Sequence, residues 1–354
     1  MKIITAIDSF KECITSAEAN KAMASGLREV FADAEIIEIA MSDGGEGWLE
    51  AFESAISNYT SFQTSSVSTD TVDPLTRPVK TRYITVNDTA IIETARIIGL
   101  SLLNKEERNP LIATSYGVGL VIADALQKGY QHIIIGLGGS ATSDAGQGMI
   151  QALNEKGCLP CKARITIASD VMNPLCGEHG AAYTFARQKG ATEEAIPILE
   201  ERALRFAEAS SRRCHHDYAN YPGAGAAGGL GYALLQYFNS TIRSGAEILL
   251  ETINFEHIIK GADCIITGEG QSDAQTLMGK LPFTLMRHAL KANVPTCLVA
   301  GRIKDKDKLL AAGFYQVECI NPPNISIENA LKKDVALRNI IRTAHKLRIS
   351  PIKQ

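Results

Sequence analysis

The feature that most constrains this chain is a strand-and-helix alternation that starts, breaks off and starts again. "KIITAID", the helix-like "SAEANKAMASGLREVF", the strand "AEIIEIAM" and, past a glycine turn, "EGWLEAFESAI" make up the opening. Short β-branched runs followed by amphipathic helices read as half of a parallel α/β sheet. The text then turns to "VDPLTRPVKTRYITV" and "TAIIETA", two antiparallel strands joined at Asn87 and Asp88. Near residue 262 the alternation returns, in "ADCIITGEG", "VPTCLVAG" and "FYQVECI". Three strands there and two at the N-terminus complete one doubly wound parallel sheet of Rossmann type. The expected fold class is therefore α/β, with a discontinuous parallel-sheet domain (residues 1–64 plus 258–354) and a second, mixed α/β domain (65–257) inserted in it.

A chain of 354 residues has room for two cores. A formal net charge of -3 without a long basic run argues against nucleic acid and anionic membranes as partners, which leaves small molecules. The apolar run at the start is too short for a signal peptide, and nowhere do about 18 uncharged apolar residues follow one another, so a cytoplasmic protein is expected. Eight cysteines scattered from Cys13 to Cys319 read as reduced thiols. "CLPC" (Cys158, Cys161) and "CHHD" (Cys214, His215, His216) are spaced poorly for zinc.

Chemistry concentrates in glycine turns. "GLGGSATSDAGQG" follows the apolar run "HIIIG". Its Gly136, Gly138 and Ala141 satisfy a GxGxxA dinucleotide fingerprint, but no clear acid-tipped strand follows to hold a ribose. Its backbone, with the hydroxyls of Ser140, Thr142 and Ser143, suits a phosphate instead. "MSDGGEG" sets Asp43 and Glu46 around Gly44 and Gly45 at a strand end. "TGEGQSDAQTLMGK" sets Glu269 and Asp273 beside Gly268 and Gly270, with Lys280 opening the next helix. "IDSFK" sets Asp8 and Lys11 past the first strand. Carboxylates hold magnesium or accept a hydroxyl proton, and lysines offset phosphate charge, so together these form a phosphoryl-transfer inventory. "YPGAGAAGGLG" reads as close helix packing, and Trp48 as core filler behind the "DGGEG" turn.

With "DSFK", "DGGEG", "ERNPLIATSYGVG", "IIIGLGGSATSDAGQGM", "DVMNPLCGEHGAAYTFARQKGA", "GAGAAGGLG", "SGAEILLE" and "ITGEGQSDAQTLMGK" in order, the chain resembles the bacterial glycerate kinase family, whose members phosphorylate D-glycerate with ATP. The resemblance covers about residues 1 to 310. It implies a flavodoxin-like domain with a second α/β domain inserted, transfer of the ATP γ-phosphoryl group to the 2-hydroxyl (or the 3-hydroxyl) of D-glycerate, and ATP and Mg2+ as cofactors. It assigns Asp170 or Asp273 as base and Lys11 and Lys280 as charge-offsetting groups, with Arg77 and Arg96 as further cations. Asp43, Glu46 and Glu269 are the magnesium candidates. Gly138, Gly139, Ser140, Thr142, Asp8, Gly44, Gly45 and Gly268 are the candidates for nucleotide. The chain departs from the family pattern at Trp48, Arg96, Ile97, Ser169, Gln271 and Ser272, and Arg96 and Gln271 are the departures that bear on acceptor choice. A nicotinamide-dependent dehydrogenase and a catalytically silent metabolite-binding protein are the rival readings.

Overall fold

The structure, a computed structural model, describes residues 1–10 and 13–351. Among the described residues, eleven strands run in chain order: β1 Lys2–Ile7, β2 Glu35–Glu38, β3 Ser65–Val72, β4 Pro78–Val86, β5 Thr89–Glu93, β6 His132–Gly136, β7 Arg164–Ala168, β8 Asn239–Arg243, β9 Cys264–Ser272, β10 Thr296–Ile303 and β11 Gln316–Cys319. The backbone divides into two compact units, one of Met1–Asp43, Glu50–Ser61 and Ala246–Gln354, the other of Gly44–Leu49 and Phe62–Gly245.

The first unit holds a five-stranded parallel sheet in the order β11-β10-β9-β1-β2. Counting its own strands along the chain, that is 2-1-3-4-5, the flavodoxin-like order. The expected α/β class is found, and β3 to β8 fall between β2 and β9 along the chain. Ile3, Ile7, Met23, Leu27, Ile266, Val299 and Ile340 bury one face of this sheet. The helix Ser16–Val30 starts at a capping box, where Thr15 accepts from Glu18 N–H and Glu18 from Thr15 N–H. Asn20, 1% exposed on that helix, ties two strand ends. Its Oδ1 accepts from Ile7 N–H (3.0 Å), and its Nδ2 donates to Ile7 O and Ile39 O (3.1 Å each).

The second unit holds a six-stranded sheet ordered β3-β4-β5-β6-β7-β8, antiparallel from β3 to β5 and parallel from β5 to β8. The hairpin at Asn87 is present, with Asn87 at φ 52°. Two strands went unread. "SSVSTDTV" (β3) and "NSTIR" (β8) are the edges of the sheet, and each leaves alternate residues exposed. An edge strand needs no apolar run and is kept polar against aggregation, so it leaves little hydrophobic signal. No helix among the described residues is long and apolar enough to cross a membrane.

Candidate active site

In the first unit β1 and β9 are neighbours at the point where strand order reverses, which is where open α/β sheets bind ligands. Asp8 follows β1; its N–H donates to Gly268 O (2.9 Å), and its Oδ1 accepts from Ser9 N–H (2.7 Å). Lys11 lies outside the described residues. The reading that put Gly268 and Glu269 in a turn past the strand needs correcting, because β9 continues through Ser272 and pairs with β10 as far as Ile303. A Cβ on Gly268 would stand 2.3 Å from Val299 O, so this glycine serves the contact between strands.

Glu269, 9% exposed, is the centre of a small polar cluster. Its Oε1 accepts from Ser272 Oγ (3.0 Å) and Thr276 Oγ1 (2.6 Å), and its Oε2 lies 3.6 Å from Lys280 Nζ. Ser272 and Thr276 carried no sequence signal beyond their hydroxyls; the bend from strand to 3-10 helix makes them converge on the carboxylate. Asp273 caps that helix (Ala274–Met278), with Gln275 N–H donating to Oδ1 (2.9 Å) and Gln271 Nε2 to Oδ2 (3.1 Å). Burial pushes its pKa up, but these donors, with Lys280 and Lys304 nearby, outweigh it and hold the carboxyl below its ordinary range. Asp43, half-buried past β2, also belongs to this unit, whereas Glu46 belongs to the other and is exposed. Among the described residues no three His, Cys, Asp or Glu side chains gather closely enough to hold an ion.

In the second unit the loop after β6 is locked in place by backbone bonds. Gly138 N–H donates to Gly44 O (3.1 Å), Ala141 N–H to Ile98 O (2.7 Å) and Leu100 N–H to Gly139 O (2.9 Å). A Cβ on Gly138 would stand 2.3 Å from Gly45 Cα; one on Gly136 would stand 2.6 Å from Gly44 O and 2.8 Å from Trp48 Cε3. The "GLGG" and "DGGEG" turns are thus glycine-rich partly because they lie against each other, with fully buried Trp48 wedged behind. Gly139 differs: its φ of 71° favours glycine. The N–H groups of Gly139 and Ser140 donate to no group among the described residues.

The expected hydroxyl cradle is turned inward. Ser140, Thr142 and Ser143 are 4%, 0% and 7% exposed. Ser140 Oγ accepts from Lys189 Nζ (3.1 Å), while Thr142 Oγ1 and Ser143 Oγ have no partner among the described residues. The kinked "AAGGLG" segment backs the loop, as its close-packing reading implies: a Cβ on Gly228 would meet Thr142 O at 2.0 Å. Asp144, unmarked in the sequence, closes the loop. Its Oδ2 accepts from Ser115 N–H (2.7 Å) and Ser115 Oγ (2.8 Å), and its Oδ1 from Gly146 N–H (3.1 Å).

The ground for rejecting a dinucleotide also changes. β7 does carry an acid, since Asp170 lies exposed just past its last residue, Ala168. What fails is the helix: it starts only at Gln147, well beyond the loop, so no helix N-terminus follows the glycines directly. Arg77 is occupied elsewhere, with Nε on Asp73 Oδ2 (2.5 Å) and Nη1 on Glu107 Oε1 (2.6 Å).

The glycerate kinase family model matches residues 3–158 and 158–349. The chain belongs to the glycerate kinase family. It is 38% identical to the glycerate kinase of Haemophilus influenzae, with 97% of each chain covered, and 36% identical to that of Bacillus subtilis, covering 94% of this chain and 93% of the relative. Similarity to the Escherichia coli protein named glycerate 2-kinase is 37% over 86% of each. The crystal structure of a provisionally named glycerate kinase 2 from Salmonella typhimurium LT2 superimposes with a TM-score of 0.77 at 35% identity, covering 98% of this chain and 96% of that one.

Set in this glycerate kinase frame, the departures acquire neighbours. Gln271 Nε2 donates to Asp273 Oδ2. Arg96, one-third exposed, lies with Nε 3.8 Å from Glu93 Oε2. Glu93, which sequence reading passed over, is 2% exposed and accepts from Gly47 N–H (3.2 Å) and Leu49 N–H (2.9 Å), so it holds the turn that carries Glu46. Burial raises its pKa to about 7; the two N–H donors and Arg82 oppose the shift, and Glu46 adds to it. The folded chain therefore keeps this proton to about pH 7, while the unfolded chain loses it near 4.5. The stabilisation is full below the unfolded value and is lost as pH rises through 7, a difference of about 3 kcal/mol. Urea unfolding of wild type and Glu93→Gln at pH 5 and pH 8 should show the gap between them changing by about that amount. A constant gap would remove Glu93 as the titrating group.

Proposed function

We propose that this family member transfers the γ-phosphoryl group of ATP to the 2-hydroxyl of D-glycerate, giving 2-phosphoglycerate. Family membership over both halves of the chain carries the reading, and the name of the Escherichia coli relative supports the 2-hydroxyl. In this reading the free N–H groups of Gly139 and Ser140 receive phosphate, as a backbone nest does. Asp170, two residues past the β7 strand that pairs with β6, acts as base toward the attacking hydroxyl.

Magnesium enters with the triphosphate. The absence of a three-ligand cage among the described residues fits a cation that keeps its waters and rides on phosphate with one or two carboxylates, of which Glu269, Asp43 and Glu46 are candidates. It would neutralise charge on the transferring group. Lys280, beside Glu269, offsets anionic charge without a covalent step. Phosphorus NMR of the protein with ATP, magnesium and D-glycerate, with an enolase-coupled assay beside it, tests the reading. A 2-phosphoglycerate signal is expected. A 3-phosphoglycerate signal would shift the site of transfer, and no acceptor phosphorylation by folded protein would overturn the kinase reading.

A further inference from the structure

The "ARQKGA" segment carries a lysine, Lys189, that no expectation included. Lys189 closes the short 3-10 helix Arg187–Lys189 and is 3% exposed. The chain reverses directly after it at Gly190, where φ is 93° and a Cβ would meet Arg108 O at 2.1 Å, so backbone packing sets where the lysine stem enters the interior. Its ammonium donates to Ser140 Oγ (3.1 Å) and Thr142 O (2.6 Å), both in the loop after β6. Both acceptors are neutral, and among the described residues no carboxylate stands within ion-pair distance of it. A buried lysine is ordinarily paired with an opposite charge, and a neutral amide could cross-link the same two acceptors without burying charge. The ammonium is thus bonded to the side chain of Ser140, one of the two residues whose N–H groups are free.

We infer that Lys189 is a positioning residue for the phosphate loop, a buried ammonium that pins Ser140 and Thr142 from below and whose charge is balanced when an anionic phosphate docks above. The inference rests on the nucleotide reading of that loop. Burial lowers the Lys189 pKa to about 7, with Asp144 the one charged group acting to raise it among the described residues. An anion at the loop favours the charged form, so binding takes up a proton above pH 7, and affinity falls as pH rises from there.

The test compares full-length wild type, Lys189→Met and Lys189→Gln by calorimetric titration with ATP and, separately, inorganic phosphate, in buffers of different ionisation heat at pH 8. The wild-type minus Lys189→Gln difference cancels the nucleotide's own protonation. Expected are a loss of ATP affinity of tenfold or more in both variants and an extra fraction of a proton taken up by wild type. Lys189→Gln keeps a donor, so a purely structural cross-link would leave its affinity and proton uptake close to wild type, and that result overturns the inference. If Lys189→Met does not fold, the Lys189→Gln comparison decides alone. Wild type that binds neither ATP nor phosphate overturns the nucleotide reading and this inference together, whereas wild type that binds ATP with both variants unchanged overturns only the role of Lys189.

Discussion

Exchanging Asp170 for Asn is expected to lower kcat at least about a hundredfold, the lower end of what a positioned base supplies, while leaving the melting temperature close to wild type. Phosphoryl transfer asks little covalent chemistry of the protein, so the base is one of few groups whose removal acts on kcat alone. Two carboxylates competed for this role. Asp273 spends both oxygens, on Gln275 N–H and on Gln271, and its pKa is held low, which makes it a poor proton acceptor. Asp170 stands exposed past β7, and Leu137 N–H at the start of the glycine loop donates to Ala168 O at the end of that strand (3.1 Å). Asp273→Asn is the matching control, because Asn caps a helix about as well as Asp. It should cost less than about tenfold in kcat. Kinetics that reverse this order would transfer the role to Asp273.

Exchanging Gly138 for Ala is expected to destabilise the second unit by about 2 to 3 kcal/mol, the usual cost of forcing extra atoms into a packed site. In a domain of this size that is a fall in Tm of roughly 5 to 10 °C. The added methyl would stand 2.3 Å from Gly45 Cα and 2.9 Å from Gly45 N, backbone atoms that cannot rotate away. The φ of Gly138 is not in the left-handed region, so strain from backbone conformation does not blur the measurement. Gly139, at φ 71°, lacks that advantage: a branched side chain there would strain the fold as well as any ligand site. Thermal melts together with ATP titration separate the cases. Unchanged stability with lost ATP affinity would mean that Gly138 faces nucleotide and not the "DGGEG" turn.

Two kinds of information were legible in the chain before any coordinates. Short apolar runs and helical patterning marked the five strands of the first sheet, because strands covered by helices in a parallel sheet are mostly apolar. Glycine turns with flanking acids marked where chemistry gathers, because turn geometry and charge are local properties. The edge strands β3 and β8 were illegible for the opposite reason: half-exposed and polar, they are set by pairing with β4 and β7. Pairing across sequence also decided which glycines serve packing. Gly44 and Gly138 look alike in the sequence, and only the fold shows that a Cβ on Gly44 would meet Ala168 O at 2.9 Å while one on Gly138 would meet Gly45 Cα at 2.3 Å. Glu93, Asp144 and Lys189 read as unremarkable charged residues. Burial of Glu93 and Lys189, and half-burial of Asp144, turned them into the groups that hold the turns, since removing a charge from water makes its few partners decisive, and burial is a property of the whole fold.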